Sequence, residues 1–304
     1  MKRVTLAIAF LVALVGGAYF LSHAAVAASE DAFHLFSSPS AWISVVVSGF
    51  LFACSYLPSA IIWRRLLIWR GVNVKASESI VLLLRTTPAK YLPGNIAQPI
   101  GRLAGLALRG SPLPAAAGTL VEEAVLSISV AAFLGLSVGG LVHGALPPPL
   151  DASVHWLWLG ALVLTLGFFG LLAIEAAPQR FLQSASPLMN ISRAATIAGS
   201  YCIVMALVGC SIVLASFAVG PFGVQAGAIV FSAFLLSWAL GSLVPGAPAG
   251  LGVRDGAMVW FLMPHFGETA AVIAAVARIT TIFGDIIAFL AGLIFLRHSR
   301  ARSA

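Results

Sequence analysis

Long apolar runs alternate with short polar interruptions along this chain, and the length of each run decides what it can be. A helix rising about 1.5 Å per residue needs roughly 20 mostly apolar residues to cross the hydrocarbon of a bilayer. Val4–Leu21, Trp42–Trp63, Ala115–Val142, His155–Ile174, Thr196–Ala218 and Thr269–Leu296 each meet that requirement and predict six full spans. Ala226–Val244 is also long enough, but the apolar stretch after its Pro-Gly loop is too short to return. The pattern predicts an all-α, polytopic helical membrane bundle in which residues 1–304 form a single integral membrane domain.

Composition removes the soluble alternative. The chain is 60% hydrophobic and 9% charged, with a mean hydropathy of +1.03, whereas soluble domains carry about 25% charged residues. Its net charge of +7 suggests nucleic acid until the charges are located. Lys2 and Arg3 precede the first run. Arg64, Arg65, Arg70, Lys75, Arg85, Lys90, Arg102 and Arg109 lie between the second and third. Arg180 and Arg193 follow the fourth, and Arg297, Arg300 and Arg302 follow the last. The opposite connections, around His23–Pro39, Gly144–Ser153 and Gly220–Val224, hold no Lys or Arg. The positive-inside rule then puts both termini in the cytoplasm. No basic helix or base-stacking motif accompanies the charge, so nucleic acid is not an expected partner.

The N-terminus imitates a secretory signal peptide, with Lys2-Arg3, an apolar run and Ala25-Val26-Ala27. The run from Val4 is longer than a usual signal core, which reads as a retained anchor. Cys54, Cys202 and Cys210 fall inside apolar runs without paired spacing and read as small buried hydrophobes. His23, His34, His143, His155 and His265 are scattered rather than set at metal-ligand spacing. No metal or cofactor is expected.

Two segments break the helical pattern. One is Thr86-Thr87-Pro88-Ala89-Lys90-Tyr91-Leu92-Pro93-Gly94-Asn95-Ile96-Ala97-Gln98-Pro99-Ile100-Gly101-Arg102, and the other runs from Val244 through Pro245, Gly246, Pro248, Gly250, Gly252, Arg254 and Asp255 to Gly256. Pro and Gly at this density stop a helix and permit a tight reversal. Ordinary surface loops are the plain alternative. Counting orientations instead makes residues 78–109 a hairpin entering from the cytoplasm and 226–265 one entering from outside. Both tips then point to the bilayer middle from opposite sides, the arrangement expected of an inverted-repeat transporter. A weak internal echo supports this: Pro93-Gly94 precedes Gly101-Arg102 as Pro245-Gly246 precedes Gly252-Val253-Arg254.

Lys90-Tyr91-Leu92-Pro93-Gly94-Asn95 with Gln98 and Gly101-Arg102, followed by Pro245-Gly246-Ala247-Pro248-Ala249-Gly250-Leu251-Gly252-Val253-Arg254-Asp255-Gly256, resembles the flippase-like transmembrane region of lysylphosphatidylglycerol synthases. The resemblance runs from the second span to the last. It implies a bacterial or archaeal multi-pass protein, here expected in the bacterial cytoplasmic (inner) membrane, that moves a lipid between leaflets, in some cases beside glycolipid or hopanoid pathways. Asp255 stands where that family usually has Glu. Glu122-Glu123 stands where Glu-Arg is frequent, so Glu122 carries over and Glu123 does not. The sequence has no counterpart of the soluble aminoacyl-transferase domain, so synthesis of an aminoacylated lipid is not expected of it.

Glu122, Glu123, Arg278 and Asp285 add charge within spans, at a cost of about 2.5 kcal/mol or more each when unpaired at a helix centre. Arg278 and Asp285 are two turns apart, about 10.5 Å by rise, and need partners elsewhere. Glu122 with Arg278, and Asp285 with Arg254, are the expected pairs. For a lipid phosphate, Arg102 and Arg254 offer bidentate contacts. Helix N-termini after each Pro-Gly turn offer free N–H groups, and Asn95 and Gln98 offer hydrogen bonds to head-group hydroxyls. No ATPase-type glycine loop occurs, which leaves downhill or ion-coupled movement. Two other classes stay open: a membrane-embedded enzyme using Glu122 or Asp285, and a non-transporting partner of a lipid-modifying enzyme.

Overall fold

In a computed structural model of the protein, the described residues are 38–92, 96–142, 146, 155, 157–162, 165–166, 187–243, 248–250 and 252–301. Those in regular structure are helical, and no strand occurs among them. In chain order the helices are α1 (Pro39–Cys54), α2 (Tyr56–Trp69), α3 (Ala76–Thr86), α4 (Ala97–Ala107), α5 (Leu113–Leu141), α6 (Pro187–Ser216), α7 (Val224–Leu243), α8 (Val253–Phe266) and α9 (Thr269–Ala301). A 3₁₀ turn at Thr87–Tyr91 follows α3, and another at Pro248–Gly250 precedes α8. The predicted span Val4–Leu21, most of His155–Ile174, and the tip residues Pro93, Gly94, Asn95, Pro245 and Gly246 lie outside the described residues.

Among the described residues, five stretches are long and apolar enough to cross a membrane: Pro39–Trp69, Leu113–Leu141, Ala195–Ser216, Val224–Leu243 and Thr269–Leu296. Four coincide with predicted spans, and the fifth is the run at Ala226–Val244. Large apolar side chains stand bare along them, including Ile43, Phe50, Val121, Ile203 and Ile294. Exposed apolar surface on this scale is covered by lipid in a multi-pass membrane protein.

The first of these stretches is interrupted at a single residue. Pro58 cannot donate a hydrogen bond to the carbonyl of Cys54 and crowds it, and the helix breaks at Ser55, between α1 and α2. Ser55 Oγ donates to the Phe52 carbonyl at 2.7 Å and Ser59 Oγ to the Ser55 carbonyl at 2.8 Å. Pro88 ends α3 by the same chemistry, and Thr86 Oγ1 and Thr87 Oγ1 cap the carbonyls of Leu82 and Leu83.

The described elements fall into two similar runs. A long stretch (α1–α2, then α6) is followed by a broken pair (α3 with α4, then α7 with α8) and a long closing helix (α5, then α9). Packing crosses between the runs: α3 lies against α9, and α7 lies against α5. Bare glycines make these crossings close. A Cβ on Gly284 of α9 would sit 2.7 Å from the Gly49 carbonyl of α1, and one on Gly139 of α5 would sit 2.6 Å from Ser232 Oγ of α7. Ser232 Oγ also donates to the Gly135 carbonyl at 2.6 Å. The main core, with Leu126, Val208, Ile212, Phe234, Leu262 and Ile273, joins α5 to α9.

Candidate binding cavity

Between the two runs lies a cavity of about 280 Å³, and side chains from both broken segments line it. Lys90, Tyr91, Gln98 and Arg102 reach it from the first, Ala249, Gly250 and Arg254 from the second. The two 3₁₀ turns themselves touch. Glu123 of α5, Tyr201 of α6, Trp238 of α7 and Arg278 of α9 complete the polar wall.

Lys90 ties the first turn to α9. Its Nζ lies 2.6 Å from Asp285 Oδ2 and donates to Tyr56 Oη at 3.1 Å. Tyr56 Oη in turn donates to Asp285 Oδ1 at 2.5 Å, and Tyr91 Oη donates to Oδ2. The rings of Phe52, Tyr56 and Tyr91 surround the ammonium at 5.5–5.9 Å. Tyr56 can reach this cluster because it is the first residue after the Ser55 break.

Arg102 opens the second turn of α4 and meets Glu123 Oε2 at 2.6 Å. Its guanidinium stacks 4.9 Å from the Trp63 ring, whose Nε1 donates to Thr119 Oγ1 at 3.1 Å. Arg278 NH1 donates to the Ala249 carbonyl at 3.1 Å and lies 4.0 Å from Asp255 Oδ1. Arg278 is only 2% exposed, yet its Nε and NH2 have no hydrogen-bond partner among the described residues. The Ala249 it holds is left-handed, at φ 49°, a conformation that costs an L-residue about 1–2 kcal/mol.

Arg254 differs from the other three cations. Its guanidinium lies 4.5 Å from the Phe234 ring and 4.7 Å from the Trp238 ring, and among the described residues it makes no ion pair within 4.0 Å. Glycine makes room for it: a Cβ on Gly241 would stand 2.8 Å from Arg254 Cβ, and one on Gly250 3.2 Å. Four cations thus line or border this cavity against three carboxylates, Glu123, Asp255 and Asp285. Such a balance suits an anion.

The expected pairs of intramembrane charges are corrected. Glu122 does not meet Arg278; it is held by Arg70 of the α2 terminus, with Nε donating to Oε1 at 2.7 Å. Asp285 pairs with Lys90 rather than Arg254. Glu123, not Glu122, faces the cavity. The anion-binding role expected of the second helix N-terminus is also altered, because Asp255 Oδ2 already accepts from the Gly252 N–H at 3.2 Å. Gly252, at φ 81°, is the N-cap of α8, and Pro248 begins the second 3₁₀ turn. The thiols are free, but Cys210 is exposed and Cys54 and Cys202 are half-buried.

Sequence reasoning missed Tyr56, Trp63, Arg70, Phe234 and Trp238. Pro58 inside a predicted span was a legible sign of the break beside Tyr56, and Phe234 with Trp238 is an i, i+4 aromatic pair. Arg70 looked like one more topology charge. Among the described residues no group of three or more His, Cys, Asp or Glu is placed to hold a metal ion. The fold and cavity define a helical membrane protein with a basic internal site. No protein-family model and no curated protein matches this chain.

Proposed function

We propose that this protein moves a lipid with an anionic, phosphate-bearing head group across a bacterial cytoplasmic membrane. In this reading six spans hold two re-entrant hairpins that enter from opposite faces, with both termini cytoplasmic. The similarity to the flippase-like region of lysylphosphatidylglycerol synthases points the same way. Support comes from the meeting of both broken segments at one polar cavity, since non-helical backbone at bilayer depth persists only in protein or beside a polar cavity.

Arg254 is the observation that carries the proposal. A cation buried to 8% exposure, backed by two aromatic faces and without an ion pair inside 4.0 Å among the described residues, is costly without an anion. A phosphate oxygen pair fits its fork. Arg278 adds two unpartnered donors, Gln98 offers an amide for head-group hydroxyls, and Lys90 and Arg102 extend the positive wall. The acyl tails remain in lipid while the head group passes.

The test is reconstitution into liposomes with a fluorescent phospholipid, following its loss from the outer leaflet. Wild type should exceed protein-free vesicles. Arg254→Ala should slow movement about tenfold or more, the value of one charge-assisted hydrogen bond. Arg109→Ala, changing an exposed residue outside the cavity, should match wild type. Equal rates for wild type and Arg254→Ala, or wild type no faster than bare vesicles, refute the proposal. Chemical conversion of the lipid without movement would assign an enzyme instead.

A further inference from the structure

Asp285 is bound in a way that suits two protonation states. Two of the three groups on Asp285 are hydroxyls, Tyr56 on Oδ1 and Tyr91 on Oδ2. A hydroxyl donates to a carboxylate and accepts equally well from a carboxylic acid. The third group is Lys90, which also lines the cavity that Arg254 makes attractive to an anion.

These contacts set up an exchange. A phosphate arriving in the cavity competes with Asp285 for the Lys90 ammonium. Once Lys90 turns to the phosphate, Asp285 is a carboxylate at 3% exposure without its cation, and such a group takes up a proton rather than stay charged. We infer that Asp285 is a proton-binding site that couples transport: the lipid phosphate replaces it at Lys90, Asp285 takes one proton, and anion and proton cross together, one for one. This inference rests on the lipid-transport reading above.

The charges balance throughout. Lys90 remains an ammonium. The proton comes from water on one side of the membrane, forms an O–H on Asp285, and returns to water on the other side when the Lys90–Asp285 contact re-forms. Around Asp285, α2 supplies Tyr56, the first turn Lys90 and Tyr91, α8 Arg254 with Asp255, and α9 itself Arg278. From α1 it is the Phe52 ring that faces this cluster, α3 keeps Arg85 exposed, and α6 places Tyr201 on the cavity wall.

The experiment uses the full chain in liposomes with phosphatidylglycerol bearing a fluorescent acyl chain, a luminal pH dye and an imposed pH gradient. A gradient of one unit should shift the leaflet distribution by up to about tenfold, the equivalent of one proton per lipid. Asp285→Asn should abolish that shift and the accompanying luminal pH change. Tyr91→Phe keeps the carboxylate and removes one donor from it, so the pH midpoint of transport should rise by roughly one unit. This variant keeps the inference testable if Asp285→Asn does not fold. Lipid movement that ignores the gradient, a full shift in Asp285→Asn, or an unmoved midpoint in Tyr91→Phe overturns the coupling alone. No lipid movement by wild type overturns the transport reading with it.

Discussion

Replacing Gly284 with alanine adds a single methyl group where α9 crosses α1. That Cβ would stand 2.7 Å from the Gly49 carbonyl oxygen, 2.7 Å from Phe52 Cδ1 and 3.1 Å from Phe52 Cβ. Ordinary carbon contacts begin near 3.5 Å, so each of the two nearest falls about 0.8 Å short. The Phe52 ring lines the cavity and can turn, but the Gly49 carbonyl belongs to a helical backbone and cannot yield. The helices must therefore separate. Overpacking of this kind costs about 1–3 kcal/mol. Separation also displaces Asp285, the next residue, from Tyr56. Gly199→Ala is the internal control: Gly199 lies within α6 and a Cβ there meets nothing within 4 Å, so the alanine should stabilise the helix by about 0.5–1 kcal/mol. Reversible unfolding of detergent-solubilised protein by titrated SDS reads both changes on one scale. A Gly284→Ala variant as stable as Gly199→Ala would refute the close α1–α9 crossing and the placement of Asp285 that follows from it.

Ala249→Gly should stabilise the protein by about 1 kcal/mol in the same titration, since glycine adopts a positive φ without penalty; Ala249→Val should destabilise it. Glu123→Gln leaves Arg102 buried without its carboxylate and should cost about 3–5 kcal/mol, with Arg102→Gln in the same chain restoring most of the loss. A double-mutant cycle showing additive losses would mean the pair is not formed. Ser232→Ala removes the hydroxyl that holds the Gly135 carbonyl and should cost about 0.5–1.5 kcal/mol, measured against wild type by SDS unfolding.

Spans are legible in a sequence because the bilayer asks only for length and apolarity, and Trp42–Trp63 and Thr269–Leu296 satisfy both without reference to any neighbour. The breaks were legible for a related reason: Pro88 and the Pro-Gly run after Val244 act on their own backbone. Charge partners follow a different logic. Asp285 meets Lys90 because α3 and its following turn pack against α9, and nothing local to either residue specifies that adjacency. The same holds for Glu122, whose partner Arg70 closes a helix one span earlier in the chain. Arg70 was counted among the charges that orient the protein, although its guanidinium also neutralises a buried carboxylate. The interruption at Ser55 shows the limit from the other side, since Pro58 was visible but an apolar run tolerates one proline without ceasing to span.

The two similar runs are not equivalent in charge, and this inequality is what gives the cavity its sign. Arg102 and Arg254 each follow a glycine-containing break and lie near the start of a short helix. In the first run the closing helix α5 presents Glu123 and neutralises Arg102. In the second, the closing helix α9 brings Arg278, a further cation, and its own carboxylate is already engaged by Lys90 from the other run. Asp255, the acidic neighbour of Arg254, is shared between Arg278 and the N-cap of α8. Arg254 is left to the faces of Phe234 and Trp238, which stabilise a cation by about 0.5–2 kcal/mol without cancelling its charge. A strict repeat would have paired every arginine and left the cavity neutral. The difference between the closing helices, a carboxylate on α5 and a guanidinium on α9, turns a structural ion-pair network into a site with an unfilled demand for negative charge.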